Sequence, residues 1–65
     1  MANGTIKRIQ RDKGFGFIRD NSGQEYFFHR SALKNGAWMD LRQGEEVTFE
    51  PMEAEKGPRA EDVYL

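Results

Sequence analysis

Apolar and polar residues alternate over short runs along most of this chain, the period expected of half-buried strands. Thr5-Ile6-Lys7-Arg8-Ile9-Gln10 opens after Gly4 and is rich in β-branched residues. Side chains two positions apart on a strand share a face. A regular strand here therefore places Ile6 and Arg8 on one face and Lys7 and Ile9 on the other. Arg11-Asp12-Lys13-Gly14 reads as a turn, Phe15 to Asp20 as a second strand, and Asn21-Ser22-Gly23 as a hairpin turn. The third strand runs from about Gln24 to His29. Arg30-Ser31-Ala32-Leu33 is too short for a stable helix and suits one 3₁₀ turn. Lys34 to Gly44 reads as a long loop. A fourth strand, about Glu45 to Met52, is marked by Val47 and Phe49 alternating with Thr48 and Glu50; Pro51 would cap it, fray it or place it on an edge. Glu53 to Pro58 reads as a charged loop turning at Lys56-Gly57-Pro58. A fifth strand covers about Arg59 to Tyr64 and carries Ala60 and Val63.

Strands at about 4–10, 15–20, 24–29, 45–52 and 59–64, with no substantial helix, predict an all-β, five-stranded antiparallel barrel, because closure hides the edges that an open sheet would expose. The predicted core is Ile6, Ile18, Tyr26, Phe28, Leu33, Leu41, Val47, Phe49 and Val63. At 65 residues the chain is one small domain, 1–65, of marginal stability. It has no cysteine, so neither a disulfide nor a thiolate site reinforces it, and its one histidine argues against zinc. No cofactor is expected. The lack of cysteine fits a reducing cytoplasm, and no apolar run is long enough to span a membrane.

The net charge of −1 does not by itself suggest an anionic partner. Its distribution does: residues 1–34 carry seven Lys and Arg against three Asp and Glu, and residues 35–65 carry three against eight. The basic half holds both aromatic strands. Phe15 and Phe17 share one face of the second strand with Gly16 between them, and Phe27 and His29 share one face of the third. Adjacent phenylalanines are usually core. Here Ile18, Tyr26 and Phe28 already supply the inward face, which leaves Phe15, Phe17, Phe27 and His29 for an outward one. Trp38, alone in the long loop, either joins that face or covers a small core.

Lys13-Gly14-Phe15-Gly16-Phe17-Ile18 and Tyr26-Phe27-Phe28-His29-Arg30 resemble the two ribonucleoprotein motifs of the cold-shock domain family. Gly4 to Lys7, Ser31-Ala32-Leu33, Gly44 to Glu50 and Lys56 to Val63 also match the family in order and spacing, so the resemblance spans nearly the whole chain. It implies an OB-fold barrel that binds single-stranded RNA and DNA as a monomer. Unpaired bases would stack on the aromatic face and basic side chains would meet phosphates. Selecting unpaired strands shifts hairpins toward their open form, which gives an RNA chaperone or a regulator of transcription and translation. Carried over by position, the expected nucleic-acid-binding residues are Lys7, Arg8, Lys13, Phe15, Phe17, Phe27, His29, Arg30 and Trp38.

Three departures bear on this expectation. Arg8, Ile9 and Arg30 stand where the family usually has aromatics. Phe28 replaces an inward valine, and Asp62 replaces a common asparagine. Guanidinium planes stack on bases and carry charge, so Arg8 and Arg30 are expected to replace rings in part and to make binding more salt-dependent. The alternative is a protein-interaction OB module with reduced nucleic-acid affinity, which the missing rings and the acidic second half favour. No nucleophile–base pair or carboxylate dyad emerges, so an enzyme is not expected.

Overall fold

A computed structural model describes residues Met1–Leu65. The strands β1 (Ala2–Gln10), β2 (Phe15–Asp20), β3 (Glu25–His29), β4 (Glu46–Ala54) and β5 (Gly57–Tyr64) close into a barrel in the order β1-β2-β3-β5-β4. Every contact around the ring is antiparallel except β3 with β5, which run parallel with Phe27 beside Arg59. The expected wholly antiparallel barrel is therefore mixed. The reason is geometric: strand direction cannot alternate all the way round a closed ring with an odd number of strands.

The strands fall close to their expected positions. β1 starts earlier because Ala2 and Asn3 pair with Phe49 and Thr48. The segment read as a charged loop is mostly ladder: Glu53 pairs with Pro58 and Ala54 with Gly57, leaving Glu55 and Lys56 as the turn. Gly57, at φ +120°, supplies a backbone conformation that side chains resist. Pro51 lies inside β4, opposite Ala60. One 3₁₀ turn covers Arg30–Ala32, and a second, Trp38–Asp40, interrupts the long loop.

The core contains Ile6, Ile18, Phe28, Leu41, Val47, Phe49 and Val63, joined by Ala32 and Ala60. Tyr26 and Leu33, expected inside, lie half-buried at its rim. Tyr26 stays at the rim because its hydroxyl needs a polar partner. Its ring meets Phe49 at 4.9 Å while its hydroxyl donates to Asp20 Oδ2 at 3.0 Å.

β1 is not regular. Its register against β2 shifts between Ile6 and Arg8. Ile6 is buried, Lys7 and Arg8 are both exposed, and Ile9 packs against the core. A bulge of this kind places an extra residue on one strand and changes the phase of the alternation. The expectation that Arg8 shares a face with Ile6 is thereby corrected: Ile6 and Ile9 point in, and Arg8 faces out opposite Phe17. β5 holds a second irregularity. Asp62 sits at φ 49°, the left-handed region that Asp and Asn occupy more readily than other side chains.

Asp20 organises the β2–β3 turn. Its Oδ1 accepts from the Ser22 hydroxyl at 2.7 Å and from the backbone N–H of Ser22 and Gln24 at 2.9 and 3.0 Å. These bonds, the Ser22 hydroxyl first, hold its carboxyl below its usual pKa of 3.8. The hydrogen bond that the Tyr26 hydroxyl donates to Asp20 Oδ2 raises that hydroxyl above 10.0. A depressed carboxylate stabilises the fold above its unfolded pKa, and that contribution disappears as pH falls through the lower folded value. Asp20→Asn is therefore expected to lower the urea midpoint at pH 6, with the gap to the parent protein closing below pH 3.8. A gap that stays constant from neutral to acid pH would remove Asp20 from the titration.

Candidate nucleic-acid interface

The outward face of β2 and β3 is set by their pairing. Phe15 lies opposite His29 and Phe17 opposite Phe27, while Gly16 lies opposite the buried Phe28. A Cβ on Gly16 would come within 2.6 Å of the Arg8 carbonyl oxygen and 2.9 Å of the Phe28 ring. Glycine thus lets the Phe28 ring lie across β2 and gives it room there.

Phe15, Phe17 and Phe27 form one cluster. Ring centroids are 5.5 Å apart for Phe15 and Phe27, 5.9 Å for Phe17 and Phe27, and 6.2 Å for Phe15 and Phe17. All three are half-buried, and none belongs to the core. Two of the contacts are edge-to-face and the Phe15–Phe27 contact is tilted, and half-exposure leaves each ring surface on which a planar group can settle. His29 is exposed beside Phe15. Its Nδ1 accepts from the Ser31 backbone N–H at 3.2 Å and lies 3.0 Å from the Ser31 hydroxyl. A neutral imidazole accepting at Nδ1 carries its proton on Nε2, which leaves a donor for a base.

The basic residues frame this cluster unequally. Arg8 stands opposite Phe17. Arg30 lays the stem of its side chain over Gly14, and its backbone N–H donates to the Gly14 carbonyl at 2.8 Å. Lys13 projects from the turn in which its own N–H and that of Gly14 close on the Gln10 carbonyl. None of these three side chains is in an ion pair. Lys7, by contrast, pairs with Glu25 at 3.8 Å.

Trp38 is placed differently. Its ring packs edge-on against the buried Phe28 at 5.8 Å, and its Nε1–H donates to the Arg11 carbonyl at 3.2 Å. The Arg11 guanidinium in turn donates to the Leu41 carbonyl, and Gln43 donates to the Lys7 carbonyl at 3.1 Å. These bonds dock the long loop on β1 and its turn. The indole covers one end of the core and steadies the turn that carries Lys13.

Sequence reasoning missed two neighbours of the cluster. Gln10 lies opposite Phe15, and Arg59 lies beside Phe27 with its guanidinium 6.0 Å from the ring centroid. Ala60 points inward, so alternation alone sends Arg59 outward. No local signal in the sequence says that β5 closes against β3.

The comparisons with known proteins agree with this geometry. Residues 2–65 match the family model described as the 'Cold-shock' DNA-binding domain. Cold shock protein 1 of Lactiplantibacillus plantarum is 40% identical over 63 residues, covering 97% of this chain and 96% of that protein. Cold shock protein CspD of Bacillus subtilis gives the same identity and the same coverage. Among solved structures, drosophila Unr CSD456 superposes with a TM-score of 0.78 at 26% identity, over 97% of this chain and 25% of that one. Barrel, outward aromatic cluster and relatives together place this chain in the cold-shock domain family, with its OB-fold.

Proposed function

We propose that the chain binds single-stranded RNA and DNA by stacking bases on Phe15, Phe17 and Phe27, and that it acts in the cytoplasm as a monomeric RNA chaperone or regulator. The observation that carries this reading is the outward cluster of three half-exposed rings beside unpaired cations. Stacking needs a free π-face, which a duplex denies and a single strand offers. His29 Nε2–H supplies a hydrogen bond to a base, and Arg8, Lys13 and Arg30 supply charge. Trp38 supports the site through the Arg11 turn and serves as its reporter.

Fluorescence anisotropy with a labelled unstructured oligonucleotide and with its duplex form tests the reading. Tight binding of the single strand and weak binding of the duplex are expected. Equal binding of the two forms, or of neither, would sink it and favour a protein-interaction module.

The unpaired arginines make a separate prediction. Affinity for a single strand falls with salt by about 0.7 logarithmic units per phosphate contact per tenfold salt. Arg8→Ala with Arg30→Ala is expected to flatten that slope by up to about twice this amount. An unchanged slope would show that neither guanidinium meets a phosphate.

A further inference from the structure

Arg59 ends a row that crosses the barrel wall. Arg8, Phe17, Phe27 and Arg59 are successive register partners on β1, β2, β3 and β5, and the half-exposed Met52 of β4 lies opposite Arg59. Beside this row is a pocket of about 730 Å³, with Phe17 and Phe27 on one side and Glu55 to Arg59 on the other. Its size is on the scale of small-ligand sites. The guanidinium stands over the Phe27 ring at 6.0 Å from its centroid, the outer limit of a cation–π contact, and Phe27 remains half-exposed beside it.

The charge around Arg59 differs from that around Arg8 and Arg30. Arg59 Nε lies 3.1 Å from Glu61 Oε1, without the alignment of a hydrogen bond. Glu61 faces Glu50 across the β4–β5 ladder, and Glu55 stands in the pocket wall. Lys56 also lines that wall, but Glu50, Glu55 and Glu61 outnumber Lys56 and Arg59 here and offset the positive potential that would draw a phosphate to Arg59. They leave the fork of two Nη groups, which make no hydrogen bond to the protein. The Glu61 carboxylate beside Nε keeps that side of the guanidinium occupied and leaves the Nη side open. A neutral group with two adjacent acceptors in one plane fits it better than an anion does.

Resting on the stacking reading above, we propose that Arg59 is a specificity-determining residue that selects a guanine stacked on Phe27. Guanine presents O6 and N7 as adjacent acceptors, the pattern a guanidinium fork engages in bidentate fashion. Adenine offers N7 beside an amino donor, which opposes the fork. Pyrimidines lack N7 altogether.

The test uses fluorescein-labelled heptathymidine and heptamers in which one thymine is replaced, position by position, by guanine, adenine or 7-deazaguanine. At one position guanine is expected to bind about fivefold or more tighter than adenine or 7-deazaguanine, the low end for a bidentate base contact. Arg59→Lys keeps the charge and removes the fork, and is expected to lose the guanine preference, read as the ratio of guanine to 7-deazaguanine affinity within the same variant so that any general loss of binding cancels. Binding of heptathymidine with no position at which guanine exceeds 7-deazaguanine would overturn the guanine assignment and leave the stacking reading intact. So would a guanine preference that survives in Arg59→Lys. Failure of every heptamer to bind would remove the stacking reading and this proposal together.

Discussion

Alanine at Phe15, Phe17 or Phe27 is expected to weaken oligonucleotide binding by about 1–3 kcal/mol for each ring while the barrel remains folded. All three lie outside the core, so their removal opens no interior cavity. The cost to stability is confined to the aromatic contacts they make with one another, about 0.5–1.5 kcal/mol for each pair. Each ring meets the other two, but Phe27 makes the two shortest of the three contacts and alone has the Arg59 guanidinium over it, so Phe27→Ala should lose the most stability of the three. Affinity by anisotropy and stability by urea denaturation, measured on the same variants, separate the two effects. If a variant no longer unfolds cooperatively, its ring belongs to the core and the stacking face shrinks accordingly. If all three fold and bind like the parent, bases do not stack there at all.

Phe28→Ala is expected to do the opposite: to unfold the domain. Phe28 is fully buried, lies across Gly16 and supports the Trp38 ring. Removing a buried phenylalanine costs about 3–5 kcal/mol. A chain of this length has about 3–10 kcal/mol of total stability, so one such loss takes most or all of it. Phe28→Val refills part of the space and is expected to cost less. The readouts are the urea midpoint and the near-ultraviolet circular dichroism of Trp38, whose ordered environment depends on Phe28. A Phe28→Ala protein with the parent's midpoint would place Phe28 outside the core. The contrast with its neighbour is a direct test of the fold, since adjacent residues on β3 point to opposite faces and Phe27 and Phe28 should fail in different assays.

The Arg8 position shows where reading the chain alone goes astray. Period-two alternation sends Arg8 to the side of Ile6, which is the core side. The bulge after Ile6 resets the phase, so that Ile6 and Ile9 both serve the core while Lys7 and Arg8 both face out. A bulge is set by how two strands fit, and β1 on its own carries no mark of it. Trp38 is a second case of a different kind: its place in a loop says nothing of what it packs on, and only the tertiary structure sets its half-exposed ring against Phe28 and its N–H on the Arg11 carbonyl.

By itself the sequence determined five strands, most of the core and the outward set of Phe15, Phe17, Phe27 and His29. Those features follow from alternation and turn residues, which act over a few neighbours. Only the tertiary structure decided the parallel closure of β3 on β5, the outward turn of Arg8 and the arrival of Arg59 beside Phe27. Each depends on which distant strands meet and in what register. The geometry of a closed ring imposes that pairing, and no local pattern records it.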